Sequence, residues 1–335
     1  MYKPAAGGIV AQIPGALRIY KDGPIERLLL SPFVPACENP DAAGVAMRDV
    51  VIDRGTGVGA RLFLSTAGAA ATTGWRRLPL VVYFHGGTFT AESAFCRRYH
   101  RYATSLAARA GALVVSVEYR LAPEHPIPAA YDDAWAALRW VASSSDPWLA
   151  DRADPWRVFL AGDSAGGDIA FHTAVRAGRD REGTGGGDVE GLVLVHPYFW
   201  GPDRLPSELA AESFLTAEAA DRHWALVTGG RAGNDDPWIN PSDEDVAFAS
   251  LTCRRALVAV AEKDLVRERV RRLAARYRGC GGDVTLVESA GEDHGFHLSG
   301  PPRARSIELL DHIVKFINKE GSRGRGQSYR RRRQK

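Results

Sequence analysis

The sequence lacks the motifs that bind phosphate-containing cofactors and the clusters that bind metals. It contains neither a Walker loop nor a glycine-rich dinucleotide fingerprint. Its cysteines form no C-x-x-C pair, and no histidine stands near them at zinc-binding spacing. They are Cys37, Cys96, Cys253 and Cys280. We therefore expect free thiols, a reducing compartment, and a function that needs neither cofactor nor metal.

Long apolar runs are also missing. No stretch approaches the ~20 consecutive apolar residues that a membrane-spanning helix needs. Pro4, Gly7, Gly8 and Pro14 interrupt the apolar residues near the N-terminus, which does not have the form of a signal peptide. We expect a soluble cytoplasmic protein that does not associate with a membrane.

Most of the chain has no excess of one charge. It carries 43 Lys and Arg against 40 Asp and Glu, a net charge of +3. Residues 321–335 hold seven of the basic residues and no acidic one, so the rest of the chain is slightly acidic. Nucleic-acid binding by the folded part is therefore disfavoured. The tail is predicted to be a disordered extension, with nuclear access or polyanion binding as the alternative.

The chain does contain a regular alternation of apolar strands and helical segments. Apolar runs typical of buried strands occur at 79–84, 112–117, 157–161, 192–196 and 256–261. Helical spacing between them predicts an α/β fold, with a mostly parallel central sheet covered by helices on both faces. Residues 197–252 break this rhythm with aromatic residues, Pro and Gly, and are predicted to be an insertion over the sheet edge.

One tight turn, the G-x-S-x-G sequence of residues 162–166, has the features of a nucleophile site. It follows the apolar run 157–160 and precedes a helical segment, which is the strand–turn–helix setting that exposes a reactive serine. We expect Ser164 to stand at the end of the sheet as a nucleophile. So short a motif also occurs by chance, and the alternative is a glycine-rich turn with an incidental serine.

A nucleophilic serine needs a base, and the base needs a group that fixes its tautomer. Asp264 comes just after the predicted strand 256–261, and His294 comes just after the last predicted strand, 284–288. Both positions lie at the sheet edge where active-site loops collect in open α/β folds. The order Ser164, Asp264, His294 therefore predicts a catalytic triad, although an Asp after a strand is more often a helix cap.

Backbone donors for an oxyanion are expected beside the serine. Gly86 and Gly87 follow a predicted central strand, and their small size leaves their N–H groups open to a ligand. With the N–H of Ala165 they would form a hole with three donors. His85 is interpreted as a structural residue. Aromatic side chains could line an apolar substrate cleft, and the candidates are Phe89, Tyr198, Phe199 and Trp200.

Four motifs in this order resemble the hormone-sensitive-lipase group of α/β-hydrolases. They are His85-Gly86-Gly87, residues 119–124 (YRLAPE), residues 162–167 (GDSAGG) and residues 293–296 (DHGF). Across about residues 15–320 the chain resembles plant carboxylesterases, including those similar to tuliposide-converting enzymes.

The resemblance implies one α/β-hydrolase domain over residues 1–320. It implies the triad Ser164, Asp264 and His294, the oxyanion donors named above, and a lid built from residues 1–45 and about 197–252. The sequence departs from the family in one place, because Thr88 stands where the third glycine of an H-G-G-G motif is usual. Thr88 is therefore expected to narrow the acyl pocket.

The predicted function is a serine carboxylesterase acting on a small-molecule ester. Two alternatives are left open. One is a small-molecule binding protein of the hormone-receptor kind, although the receptors of this family lack the histidine that His294 supplies. The other is a dehydratase or transesterase acting on a plant secondary metabolite in the same pocket.

Overall fold

A computed structural model describes residues 8–66, 77–180, 189–209, 211–241, 246–253 and 255–319. Within these ranges the chain forms eleven β-strands and nine α-helices. The strands are β1 (Ile9–Ile13), β2 (Leu17–Tyr20), β3 (Ile25–Arg27), β4 (Val45–Asp53), β5 (Val58–Ser65), β6 (Leu78–Phe84), β7 (Leu113–Glu118), β8 (Ala153–Asp163), β9 (Val189–Val195), β10 (Arg255–Ala261) and β11 (Asp283–Ser289). The helices are α1 (Arg97–Ala110), α2 (Ala129–Ser143), α3 (Pro147–Arg152), α4 (Ala165–Arg179), α5 (Pro206–Leu209), α6 (Ala217–Val227), α7 (Val246–Ser250), α8 (Arg267–Gly279) and α9 (Ala304–Asn318), with a 3-10 turn at Phe296–Leu298.

Eight strands form one sheet in the order β11-β10-β9-β8-β6-β7-β5-β4. Strands β6 to β11 pair in parallel, while β5 pairs antiparallel with both β4 and β7. Parallel neighbours need crossover helices, and these helices bury both faces of the sheet. The apolar run of β10 is accordingly buried at every residue. The predicted α/β fold with a mostly parallel sheet is confirmed.

The two faces of the sheet have separate apolar cores. Successive side chains of a strand point to opposite faces. In β6, Leu80 and Val82 pack in one core with α2, α4 and α8, whereas Val81 and Tyr83 pack in the other with α1 and α9. In the part of the chain that the structure describes, no helix combines the length and the apolar character needed to cross a bilayer.

The N-terminal segment forms a second, smaller sheet. Strands β1, β2 and β3 pair antiparallel in that order. The sequence predicts two short strands at 17–20 and 26–30, around the turn residues 21–24, and these correspond to β2 and β3. It does not predict β1, which is largely exposed and so has a weak apolar pattern. Ile13, Ala16 and Leu17 of this segment pack against Leu226 of α6. The two stretches predicted to form a lid therefore touch each other where both are described.

The start of α1 differs from the prediction. The sequence predicts a helix from Glu92 to Arg109, but α1 begins at Arg97. Glu92 has a φ of 66°, and the Ala94 N–H donates to the Glu118 carboxylate at the end of β7. These tertiary contacts hold residues 92–96 as a turn despite their helical spacing.

The predicted basic tail, residues 321–335, lies outside the described residues.

Candidate active site

Ser164 stands in the turn between β8 and α4, with φ 51° and ψ −120°. A residue with a β carbon rarely adopts such angles, which cost about 1–3 kcal/mol and persist only where the surroundings hold them. The Ser164 N–H donates to the Val195 carbonyl over 3.0 Å, and the Ser164 carbonyl accepts from the Tyr198 N–H over 3.0 Å. These bonds tie the turn to the chain leaving β9 and maintain the conformation.

The two glycines of the motif allow the backbones around Ser164 to approach closely. A β carbon at position 162 would lie 2.1 Å from the Gly166 carbonyl oxygen. A β carbon at position 166 would lie 2.0 Å from the Phe84 carbonyl oxygen. Because both obstacles are backbone atoms, no side-chain rotation could relieve the overlap. The spacing G-x-S-x-G thus follows from the packing of β6, β8 and α4 against one another.

Hydrogen bonds join Ser164, His294 and Asp264 into one chain. His294 Nε2 lies 2.8 Å from Ser164 Oγ, and His294 Nδ1 lies 2.8 Å from Asp264 Oδ2. The other carboxylate oxygen of Asp264 accepts from the Val266 N–H over 3.1 Å. The three residues follow β8, β10 and β11, at the same edge of the sheet. The structure therefore brings together the residues that the sequence order selects.

The environment of His294 favours the protonated form of its ring. Burial of the ring, the largest single influence, acts to lower the pKa of His294. The charge of Asp264 and its hydrogen bond, with further charge from Asp163 and Asp293, outweigh burial and raise the pKa above its ordinary value. An imidazolium formed by taking the Ser164 proton would therefore be stabilised where it arises.

A second buried histidine, His196, supports the loop that carries His294. The Gly295 N–H donates to His196 Nδ1 over 3.2 Å, and the rings of His196 and His294 lie 5.8 Å apart. Burial holds the pKa of His196 well below its ordinary value, so the ring is neutral and able to accept. Sequence reasoning missed His196, although its position directly after β9, beside β8 and β10, was a usable signal.

The oxyanion donors differ from those predicted at one position. The Gly86 N–H donates to Tyr99 Oη over 2.8 Å and to Asp163 Oδ1 over 3.1 Å, so it is not open to a substrate. The prediction of Gly86 as an oxyanion donor is therefore wrong. Among the described residues, nothing accepts from the N–H groups of Gly87, Thr88 or Ala165. The loops that carry these residues follow β6 and β8, which pair directly.

Asp163 anchors the loop after β6 to the turn of Ser164. Its carboxylate accepts from Tyr83 Oη over 2.6 Å and from Tyr99 Oη over 2.9 Å, besides the Gly86 N–H. Burial raises the pKa of Asp163 to about 6, against the lowering effect of these hydrogen bonds. Sequence reasoning missed both tyrosines, because their spacing along β6 and α1 is that of ordinary core residues.

Thr88 lies in the left-handed region with a φ of 57°. Its side-chain hydroxyl donates to the Gly87 carbonyl over 2.7 Å and lies 2.7 Å from the hydroxyl of Thr90. The His223 ring meets the Thr88 carbonyl over 2.9 Å. Hydrogen bonds thus hold the loop where the family motif would place a glycine. His85 is buried against Tyr119, with ring centroids 4.3 Å apart, in agreement with a structural interpretation.

The aromatic residues predicted to line a substrate cleft belong to the core. The exposed fractions of Phe89, Phe199 and Trp200 are 0%, 3% and 0%. Phe89 packs on Trp224, and the Trp200 indole N–H donates to Asp221. The prediction of a substrate contact is therefore wrong for these three residues. Sequence alone does not separate an aromatic side chain that faces a cleft from one that faces the interior.

Phe214 is the aromatic residue that the structure places above the site. It is 68% exposed, and its ring meets the ring of His294 edge-on at 6.2 Å. Asp293 holds it there, accepting from Ser213 Oγ over 2.7 Å and from the Phe214 N–H over 2.9 Å. Sequence reasoning missed Phe214, which lies in the irregular insertion.

Within the described ranges, no group of three or more His, Cys, Asp or Glu side chains is arranged to hold a metal.

A serine in a tight strand–helix turn of a mostly parallel sheet, hydrogen-bonded to a histidine that bonds an aspartate, both after later strands, is the arrangement typical of an α/β-hydrolase. The chain belongs to this family: the family model described as "alpha/beta hydrolase fold" matches residues 81–298. An esterase from Pyrobaculum calidifontis superposes with a TM-score of 0.68 at 31% identity, covering 81% of this chain and 84% of that one.

Within the family, the chain belongs with the plant carboxylesterases. Tuliposide A-converting enzyme b3 of Tulipa gesneriana, named as amyloplastic, is 42% identical over 312 residues, which cover 91% of this chain and 78% of that protein. Probable carboxylesterase 5 of Arabidopsis thaliana is 38% identical over 309 residues, or 90% of this chain and 95% of that protein. The resemblance and the class of enzyme predicted from the sequence, a carboxylic ester hydrolase, are confirmed.

Proposed function

We propose that the protein is a serine carboxylesterase that hydrolyses small-molecule esters through an acyl-enzyme. The unbroken chain of hydrogen bonds from Ser164 Oγ through His294 to Asp264, each link 2.8 Å long, carries this proposal. It supplies a nucleophile, a base within reach of its proton, and a carboxylate that fixes the imidazole tautomer.

In the first half-reaction, Ser164 Oγ attacks the ester carbonyl while His294 Nε2 takes the hydroxyl proton. The carbonyl oxygen becomes an oxyanion, which the unpaired N–H groups of Gly87, Thr88 and Ala165 would stabilise. The intermediate collapses, the C–O bond to the alcohol breaks, and the imidazolium gives its proton to the leaving oxygen. Water, deprotonated by His294, then attacks the acyl-enzyme and releases the carboxylic acid and free Ser164.

The domain organisation also belongs to the proposal. Residues 1–320 are one α/β-hydrolase domain, in which residues 1–45 and 197–252 form a lid over the triad. The contact of Phe214 with His294 supports a role of the insertion in this lid. The packing of Leu226 against the cluster that contains Leu17 supports a role of the N-terminal segment. A cytoplasmic location is part of the proposal as well, although two tulip relatives are named amyloplastic and chloroplastic.

A second candidate reaction uses the same acyl-enzyme. If a hydroxyl of the substrate takes the place of water, the acyl group is transferred and not hydrolysed. The 42% identity to a tulip enzyme named for converting tuliposide A favours testing this route. Product analysis separates the two reactions, because hydrolysis incorporates one oxygen from labelled water into the acid and transfer incorporates none.

The test of the main proposal is turnover of p-nitrophenyl acetate by Ser164→Ala. We expect kcat to fall about 10⁴-fold or more, because the acyl-enzyme can no longer form. Ala has the same φ preference as Ser, so folding should not change. Ser143→Ala, an exposed serine at the end of α2, is the matched control. A folded Ser164→Ala variant that loses less than tenfold in kcat, or a wild-type chain that binds esters without turnover, would contradict the proposal.

A further inference from the structure

A cavity of about 280 Å³ lies behind the loop that carries His294. It is open to solvent on one side and is bounded by one face of α1, the turn after the 3-10 helix Phe296–Leu298, and the first turns of α9. Neither Ser164 nor Asp264 borders it. The cavity is therefore separate from the proposed catalytic site, and an inference about it does not depend on that proposal.

The charged side chains that line the cavity are all basic. They are Arg98, Arg101 and Arg109, on one face of α1. Arg98 pairs with Glu92 over 3.0 Å, and Arg109 pairs with Asp311. Arg101 makes no ion pair or hydrogen bond with any part of the chain that the structure describes. Arg101 is exposed, and its positive charge at the rim of the cavity has no partner in the described part of the chain.

The beginning of α9 adds to this positive character. Its N-cap residue, Arg303, provides no capping side chain, and the first turn contains no acidic residue. Helix N-termini attract anions because their first N–H groups are unpaired. Ser306 in this turn borders the cavity, is only 7% exposed, and has a hydroxyl without a partner among the described residues.

The remaining walls are mostly apolar. Tyr102, Leu298, Ile307 and Leu310 line the cavity beside the basic groups. A bare inorganic anion would leave these side chains facing water, whereas an organic acid would cover them. One uncompensated arginine matches one negative charge. We propose that this cavity binds a small organic monocarboxylate, with its carboxylate at Arg101 and the start of α9 and its apolar part against Leu298 and Leu310.

The position of the cavity links its occupant to the catalytic loop. The His297 ring borders the cavity and lies 5.4 Å from the ring of His196, which accepts the Gly295 N–H beside His294. Neither nitrogen of His297 has a hydrogen-bond partner among the described residues. A bound acid would therefore contact the segment that directly follows His294.

Calorimetric titration of the full chain with hexanoate tests the inference. Ser164 is first blocked with phenylmethylsulfonyl fluoride, so that binding in the catalytic pocket is suppressed. We expect one hexanoate per chain, a higher Tm, and binding at least tenfold weaker for hexanol and for inorganic phosphate. Arg101→Gln should weaken hexanoate binding about tenfold, because it removes a charge-assisted contact. Arg272→Gln, an exposed arginine of α8, should leave the affinity unchanged.

A second variant guards against an effect of folding. Ile307→Glu places a carboxylate at the cavity from a position that is 41% exposed, so the helix should form normally while hexanoate is repelled. Circular dichroism and Tm without hexanoate check that both variants fold. Hexanoate affinity that stays within twofold of wild type in both variants would overturn the proposal. Equal binding of hexanol or of phosphate would overturn it too, since either the charge or the apolar wall would then have no role.

Discussion

Two residues at the proposed site, Ser164 and Thr88, hold positive φ angles that side chains rarely adopt. At Ser164 the strain accompanies the tight turn that carries the proposed nucleophile. At Thr88 the conformation would suit glycine, and the hydroxyl offsets part of the strain through its bonds to the Gly87 carbonyl and to Thr90. What Thr88 adds to the site is therefore a γ-methyl group next to the proposed oxyanion donors.

Thr88→Ser isolates the effect of that methyl group, since the hydroxyl and its two hydrogen bonds are kept. We expect kcat/KM for a hexanoyl ester, relative to the acetyl ester, to rise by about 10- to 200-fold at most, because a pocket distinguishes single methylenes by only ~1–3 kcal/mol. Thr88→Gly is the comparison. If Thr88→Gly changes the hexanoyl-to-acetyl ratio and Thr88→Ser does not, the freedom of the backbone sets acyl selectivity. If neither variant changes the ratio, the lid sets acyl selectivity.

The pH dependence of catalysis should report His294. Only the neutral imidazole can take the serine proton, so kcat/KM should fall as pH decreases through the pKa of His294. That pKa is raised, chiefly by Asp264 against the opposing effect of burial, and the acidic limb should therefore lie above the ordinary value of 6.5. An acidic limb centred at or below pH 6.5 in the wild type would contradict this assignment.

Asp264→Asn provides the matching variant. The loss of the carboxylate charge should move the acidic limb to lower pH, and the wrong tautomer should lower kcat by about 10³- to 10⁴-fold. Activity that survives would mean that another carboxylate orients His294. Glu262 is the nearest candidate in the sequence, but its side chain accepts the Gly291 N–H.

At this scale the sequence predicts the proposed triad residues and misplaces one donor. Ser164, Asp264 and His294 are recognisable because each lies in the loop that follows a strand, and strand ends are visible as breaks in apolar runs. The sequence does not show which backbone N–H groups are free to bind an oxyanion. Gly86 is engaged by Tyr99 and Asp163, which lie 13 and 77 residues away, and no local pattern reveals that contact.

The insertion between β9 and β10 is the element that the sequence describes least well. Its helices α5, α6 and α7 are short, and the chain between them has no periodicity that separates buried from exposed positions. The sequence therefore predicts a cleft position for Phe199 and Trp200, which they do not have, and gives no sign of the position of Phe214. The position of Phe214 is set by hydrogen bonds to Asp293 from its own N–H and from Ser213 Oγ, and Asp293 lies 79 residues further along the chain.

Phe214→Ala tests whether this segment shapes substrate binding. We expect KM for an apolar ester to rise about tenfold with kcat changed less than threefold, because the ring offers apolar surface beside His294 without touching the proton path. Leu209→Ala removes another exposed apolar side chain of the same insertion, 78% exposed, and should change neither constant. A large fall in kcat with KM unchanged would instead place Phe214 in the chemical step.

Across the whole molecule, Arg27 fastens the N-terminal sheet to the main domain. Its guanidinium forms two hydrogen bonds with Glu124, 2.9 and 2.6 Å long, and one of 2.7 Å with the Thr90 carbonyl. Thr90 belongs to the same turn as Gly87 and Thr88, two of the proposed oxyanion donors. The N-terminal segment therefore contacts the back of the proposed site.

Arg27→Ala should loosen this attachment. We expect a loss of about 1 kcal/mol in the free energy of unfolding, since the ion pair is partly exposed, and faster limited proteolysis near residues 28–35. Arg18→Ala is the control, because Arg18 pairs with Glu26 inside the same small sheet and not with the main domain. Equal proteolysis of the two variants would show that apolar packing, and not Arg27, holds the segment.

The strand order of the sheet has a consequence for how activity appears during folding. The proposed base is carried by the loop after β11, the edge strand, which pairs with β10 alone. A chain that has collapsed and formed its central strands holds the serine but has no histidine beside it. Ester turnover should thus return later in refolding than helical circular dichroism, since long-range parallel pairing is slow. In partly folded chains Ser164 would be most accessible, but without His294 beside it an ester would not acylate it.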